Sequence, residues 1–188
     1  MAAPAPARPP PRVVLTGGPG GGKTAVLEVV RIHFGAHVDV TPEAARIVLS
    51  GGFPRRATDA ARRAAQRAIF RVQRELERLA EEESAADLVL CDRGTVDGAA
   101  YWPDGPPSLF EEMGTTRERE RARYAAVIHL RPPPEVAGAA GAPGSQRVET
   151  VAEALAIDAR IERAWEGHPR RVIVESTPRF FDKIARVL

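Results

Sequence analysis

The residues Gly17-Gly18-Pro19-Gly20-Gly21-Gly22-Lys23-Thr24 satisfy the spacing G-x-x-x-x-G-K-[ST] at every fixed position. A loop of this kind holds polyphosphate by geometry. Glycines let successive backbone N–H groups converge on phosphate oxygens, and the positive end of the following helix dipole favours an anion there. Lys23 is then placed to reach the β- and γ-phosphates, and the Thr24 hydroxyl to ligate Mg²⁺. The flanks are the ones this chemistry requires. The apolar run Val13-Val14-Leu15 precedes the loop, and the helix-like Ala25-Val26-Leu27-Glu28-Val29-Val30 follows it. Composition sets Lys23 apart as well: of 27 lysines and arginines, only Lys23 and Lys183 are lysines. A compact ammonium kept where a forked guanidinium would fit poorly suggests a site that needs lysine chemistry.

A second constellation complements the loop. Asp92 ends the apolar run Leu88-Val89-Leu90-Cys91, and Arg93 follows it directly. A carboxylate at the end of a buried strand can hold Mg²⁺ near the phosphates, and an adjacent guanidinium suits a phosphate oxyanion. The expected metal ligands are therefore Thr24 and Asp92.

The rest of the chain must position these groups. The spacing predicts a helix over Lys23–His33, a strand over Ala36–Val40 and a helix over Glu43–Leu49 that stops at Gly51-Gly52. A long helix follows from Thr58 or Asp59 to Glu83, with Ile69, Val72, Leu76 and Leu79 as its buried stripe. Asp87–Cys91, Tyr124–Leu130 and Arg171–Glu175 read as further strands, and Val151–Trp165 and Phe180–Leu188 as helices. Alternating strands and helices predict a parallel α/β fold, a five-stranded sheet flanked by helices. In open sheets of this kind ligands bind beyond the carboxyl ends of the strands. Thr16–Thr24, Thr41–Arg46, Asp92–Asp97, Arg131 and Glu175–Thr177 are thus expected to converge on one crevice.

Bulk properties narrow the function classes. The chain has 188 residues, 44% hydrophobic and 28% charged, with a net charge of +2. That is one domain's worth of globular sequence. Residues 1–11, rich in Ala and Pro, read as a disordered tail, and 12–188 as the domain. So small a charge excess gives no reason to expect a nucleic-acid partner. No apolar run approaches a membrane span. A single cysteine, Cys91, permits no internal disulfide, which fits a reducing, cytoplasmic setting. The alternating arginines and glutamates of Arg117–Arg123 read as a solvated helix start. Arg67, Arg71, Arg74 and Arg78 are answered by glutamates on their own helix.

On the glycine loop, Asp92-Arg93 and the turn Leu130-Arg131-Pro132-Pro133-Pro134-Glu135, the chain resembles the thymidylate kinase and deoxynucleoside kinase group. It resembles more closely a set of small single-domain P-loop proteins described as AAA domain proteins. That set is related to the nicotinamide riboside kinase domain of a bacterial NAD regulator. The closer likeness rests on Pro42-Glu43-Ala44-Ala45-Arg46, Gln66-Arg67-Ala68-Ile69-Phe70, Asp92-Arg93-Gly94-Thr95-Val96-Asp97-Gly98 and Tyr101-Trp102-Pro103, and extends from Arg12 over nearly the whole chain. It implies a nucleoside- or nucleotide-kinase-like P-loop NTPase fold that binds ATP or GTP with Mg²⁺. Gly94 departs from the nucleoside kinases, which usually carry an aromatic or polar residue there. This argues against a pyrimidine nucleoside acceptor.

The resemblance also implies roles on the acceptor side. A glutamate near position 43 approaches the acceptor hydroxyl in such kinases, so Glu43 is a candidate general base, with Asp92 as rival. Arg46 lies on the same helical face as Glu43, and Arg93, Asp97 and Tyr101 complete the expected acceptor side. Arg147 follows a Gly/Ala-rich stretch, 137–145, and is the candidate lid arginine that stabilises charge on the transferring phosphoryl. Tyr101 and Trp102 could stack on a ring or pack a loop against the core.

These residues together predict a Mg²⁺-dependent kinase that transfers the γ-phosphoryl of ATP to a small acceptor such as a nucleoside, nucleotide or related metabolite, acting as a monomer or homodimer. The alternative is an NTP-dependent binding switch that signals to a protein or lipid partner. With only two lysines the chain has no guanine-reading Asn-Lys-x-Asp, so ATP is the expected nucleotide rather than GTP.

Overall fold

The computed structural model describes residues 9–133, 151–177 and 180–187. Five strands form one sheet: β1 (Arg12–Thr16), β2 (Val38–Thr41), β3 (Leu88–Asp92), β4 (Ala126–Leu130) and β5 (Arg171–Val174). Their order is β2-β3-β1-β4-β5, and every neighbouring pair is parallel. Because the sheet is covered on both faces, its central strands are apolar on both. Val14, Val89 and Cys91 face one core cluster with Val127, Ile161 and Trp165. Leu15 and Leu90 face the other, with Val26, Leu27, Val30, Leu130 and Val174. Cys91 is fully buried, and that burial pushes its thiol up to about 12, leaving it inert.

Among the described residues seven α-helices accompany the strands: α1 (Lys23–Phe34), α2 (Ala44–Ser50), α3 (Asp59–Glu83), α4 (Leu109–Glu112), α5 (Arg117–Arg121), α6 (Val151–Ala164) and, after the last strand, α7 (Phe180–Val187). Thr58 caps α3 by accepting from the Ala61 N–H at 3.3 Å. A 3-10 segment, Thr95–Ala100, carries the chain away from β3.

Several expectations shift. Strand β2 begins at Val38, because Gly35–His37 form a 3-10 turn first. The buried stripe of α3 is Phe70, Gln73, Glu77 and Ala80, while Leu79 is 51% exposed. Glu77 belongs inside because Tyr124 and Arg123 meet its carboxylate there. Arg67 and Arg74 pair with Glu112 and Glu120 on α4 and α5, and only Arg78 pairs within α3, with Glu82. Glu120 is buried and anchors α5, while Arg117, Glu118 and Arg119 are exposed.

Candidate nucleotide-binding site

The loop between β1 and α1 is shaped by close backbone approach. Gly17 sits at φ 124°, and a Cβ there would overlap the Leu130 carbonyl oxygen at the end of β4. A Cβ on Gly21 would come within 2.6 Å of the same oxygen. The Gly18 N–H donates to Asp158 Oδ1 on α6 at 2.6 Å. Gly22 precedes α1 at φ 89°, and no side chain caps the helix, so the dipole end points at the loop. Lys23 Nζ donates to the carbonyls of Gly17 and Gly18 at 2.8 and 2.9 Å. Burial, then the charge of Arg93, lowers the Lys23 pKa to about 7 against the pull of Asp92, Glu43 and Asp97.

Opposite the loop stands the Asp-Arg turn. Asp92 keeps one carboxylate oxygen, Oδ1, buried without a hydrogen-bond partner. Burial, then the neighbouring Glu43, pushes its pKa up to about 6 although Lys23 and Arg93 oppose the shift. Arg93 adopts φ 73°, the one positive φ outside glycine among the described residues. Its Nε donates to Glu43 Oε1 at 2.7 Å, and an Nη1 reaches the Gly17 carbonyl at 3.4 Å. Burial raises the Glu43 carboxyl, but the charge and hydrogen bond of Arg93 outweigh it and hold Glu43 below the usual glutamate value. Asp97 is occupied on both oxygens: the Thr16 hydroxyl donates to Oδ1 and the Gly94 N–H to Oδ2, the latter at 2.8 Å. The glycine at position 94 has a packing cause. A Cβ there would meet Trp165 at 2.9 Å and Val14 at 3.0 Å.

Between loop and turn lies a cavity of about 860 Å³. Its walls bring together Pro19–Thr24, Glu43, Arg46, Asp92, Arg93, Asp97 and Tyr101. Its far wall adds Gln66, Phe70 and Gln73 from α3. Arg131 and Glu175 do not line it. They pair with each other at 3.0 Å, and Arg131 also holds Glu162 at 2.9 Å, on the α6 side of the loop. Trp102 turns into the core against Phe70 and Leu109, and its indole N–H donates to the Pro107 carbonyl at 2.9 Å. Arg147 lies outside the described residues.

Four contributing residues escape sequence reasoning. Asp158 tethers the loop and is met by His129 Nε2 at 2.9 Å; His129 Nδ1 has no hydrogen-bond partner. Gln73 and Glu77 brace the Asp-Arg turn from beneath. None has a local signal, because each acts on chain far away in sequence. An Asp seven residues into a helix pattern, or a Glu on an apolar-looking face, is the only trace.

The site suits a divalent cation held jointly with phosphate. Among the described residues no three His, Cys, Asp or Glu side chains could hold a metal by themselves. The unpartnered Asp92 oxygen, with the Thr24 hydroxyl on the same cavity wall, matches the sparse protein ligation of Mg²⁺, whose other ligands are phosphates and water.

A glycine loop at the end of β1, an Asp-Arg turn at the end of β3 and a parallel sheet in this order define the P-loop nucleoside and nucleotide kinase-like fold. Within it, the chain belongs to the AAA domain family, whose model matches residues 12–182. Solved structures agree on the fold. Thymidylate kinase from Candida albicans is 11% identical, with TM-score 0.64, covering 95% of this chain and 89% of that one. Deoxyadenosine kinase from M. mycoides, solved with bound dATP, is 9% identical with TM-score 0.65, covering 94% and 96%. NadR protein, solved with NAD and AMP-PNP, is 14% identical with TM-score 0.66, covering 95% of this chain but 48% of that one. No functionally curated protein matches the chain by sequence.

Proposed function

We propose that the protein is a Mg²⁺-dependent phosphotransferase that moves the γ-phosphoryl of ATP to a small acceptor, a nucleoside, nucleotide or related metabolite. One observation carries this reading. The cavity continues past the phosphate loop to a second wall built from Arg46, Gln66, Phe70 and Tyr101, leaving room for an acceptor. A binding switch needs no such room, so the volume favours a transferase over that alternative.

The roles follow from position and charge. Lys23 leaves its loop carbonyls to meet the donor phosphates, and Thr24 and Asp92 hold the cation, which supplies charge neutralisation at the transferring group. Since the free Asp92 oxygen suits the cation, Glu43 is the group to accept the acceptor proton, kept ionised and aimed by Arg93. Arg147 is assigned to the lid. The nucleotides bound by deoxyadenosine kinase and NadR, dATP and AMP-PNP, support nucleotide binding by this fold, and ATP is the donor we assign.

The test is ADP release from ATP and Mg²⁺ by purified protein, with pools of nucleosides, nucleotides and related metabolites. The expected result is acceleration by at least one pool. Equal rates with and without every pool would overturn the transferase reading. Separately, Lys23→Ala is expected to abolish thermal stabilisation by ATP. Unchanged stabilisation would overturn the site assignment.

A further inference from the structure

The turn that carries Arg93 is held from beneath by a set of buried polar side chains that phosphate chemistry does not require. Each peptide group in it is tied. The Arg93 N–H donates to the Leu15 carbonyl at 3.1 Å, and the Arg93 carbonyl accepts from Gln73 Nε2 at 3.2 Å. The Thr95 N–H donates to the Tyr124 hydroxyl at 2.8 Å, and the Thr95 hydroxyl to Glu120 Oε2 at 2.9 Å. Gln73 is itself seated: the same Nε2 donates to Glu77 Oε1 at 2.9 Å, and Glu77 also accepts from the Tyr124 hydroxyl at 2.7 Å and from Arg123.

These groups are costly where they stand. Gln73 is 3% exposed and Glu77 is fully buried, on a helix face that apolar side chains would fill without desolvating a charge. What they hold is also costly. A left-handed backbone at a residue with a Cβ is disfavoured and persists only where its surroundings over-determine it. Gln73 fits the task because one amide nitrogen carries two hydrogens, one for Glu77 and one for the Arg93 carbonyl. Methionine would keep the volume and lose both donors. Glutamate would set a carboxylate against a carbonyl oxygen.

We propose that Gln73, seated by Glu77, is a positioning residue that locks the left-handed backbone of Arg93 so that its guanidinium stays on Glu43. The inference rests on the reading of Arg93 and Glu43 as acceptor-side groups, but its geometry can be tested without an acceptor. In Gln73→Met the Arg93 carbonyl loses its donor, and the turn relaxes away from φ 73°. The Arg93–Glu43 contact then opens more often, and the Arg93 contact to the Gly17 carbonyl with it, while the Asp158 tether of the glycine loop stays in place.

The experiment reads the Arg93 Nε–H in a ¹H–¹⁵N spectrum of the nucleotide-free protein, assigned by its disappearance in Arg93→Lys. In Gln73→Met this proton is expected to exchange with solvent about tenfold faster, the scale of one lost hydrogen bond. The Glu43 carboxyl, followed by ¹³C, is expected to titrate at higher pH than in the parent. Glu77→Gln keeps Gln73 but weakens its seat, so it should shift the same signal less. Arg78→Ala, on the same helix and paired only with the exposed Glu82, should not move it. Exchange and titration unchanged in both Gln73→Met and Glu77→Gln would overturn the proposal. So would an equal change in Arg78→Ala, which would mark a general loss of stability. If Gln73→Met does not fold, Glu77→Gln decides alone. A failed acceptor screen would count against the transferase and leave these readings standing.

Discussion

Gly17 and Gly21 approach the Leu130 carbonyl too closely for any side chain, whereas Arg93, across the cavity, takes a glycine-like φ of 73° while carrying one of the longest side chains. The glycine loop gets its shape by omission. Backbone curves where no Cβ obstructs it, and Asp158 tethers it through the Gly18 N–H while Lys23 and Arg93 donate to its carbonyls. The Asp-Arg turn must keep its side chain, so it gets its shape by addition, from Gln73, Tyr124, Asp97 and Glu120 around three residues. The first device costs conformational entropy and the second costs desolvation. A loop that wraps a ligand's phosphates can be all backbone. A turn that must aim a guanidinium cannot.

The comparison breaks most severely at the loop. Gly17→Ala places a Cβ against the Leu130 carbonyl at a φ of 124°, where neither side is a flexible side chain that can yield. The expected loss of stability is on the order of 3–5 kcal/mol, measured by denaturant unfolding, with ATP stabilisation lost as well. A variant that folds and binds ATP normally would show that the loop is not defined by close approach.

Glu77→Ala tests the other device. It leaves Arg123, Tyr124 and Gln73 without their shared acceptor in a buried site. Breaking a buried pair from one side costs about 3 kcal/mol or more. Here ATP affinity per folded molecule should fall far less than in Gly17→Ala, because the loop keeps its close approach to Leu130 and its Asp158 tether and can lose only the Arg93 contact to the Gly17 carbonyl. Loss of stability together with loss of ATP binding would merge the two regions into one cooperative unit and remove the contrast between them.

The same contrast explains what could be read in advance. The glycine loop is legible because its requirements are local, eight residues fixed by spacing between an apolar strand and a helix. Asp92, Arg93 and Glu43 are reachable because they follow strand ends, and the fold brings strand ends together. The brace is not legible. Val72, Leu76 and Leu79 make a convincing apolar stripe, yet α3 turns Gln73 and Glu77 inward, since Tyr124 and Arg123 arrive 47 and 46 residues away from Glu77. Asp158 is 140 residues from the glycine that it tethers. Hydrophobic periodicity reports which side chains prefer to leave water. It cannot report a polar residue whose partners come from elsewhere in the chain.

The smallest expected effect separates the cost of the empty site from its use. Asp92 has its pKa raised from 3.8 to about 6 by burial and by Glu43. A carboxyl raised on folding binds its proton more tightly in the native state, so stability falls as pH rises between those two values and the full cost is present above the higher one. Asp92→Asn removes that cost. At pH 7.5 the nucleotide-free variant should melt a few degrees higher than the parent, with the difference shrinking as pH is lowered through about 6 toward 3.8. Lys23, with its pKa lowered to about 7, stays protonated between 3.8 and 6 but loses its proton on the way to pH 7.5, so the Asp92 cost is read from how the difference between variant and parent changes below about 6. With Mg²⁺ and ATP the proposed function expects the order to reverse, because it assigns the Asp92 oxygen that lacks a partner in the free protein to the cation. Melting curves at the two ends of that pH range, with and without Mg²⁺ and ATP, give both comparisons. If Asp92→Asn lowered the melting point of the free protein at pH 7.5, the Asp92 carboxylate would be stabilising the resting fold, and the loop and the turn would no longer differ in what they keep in reserve for the ligand.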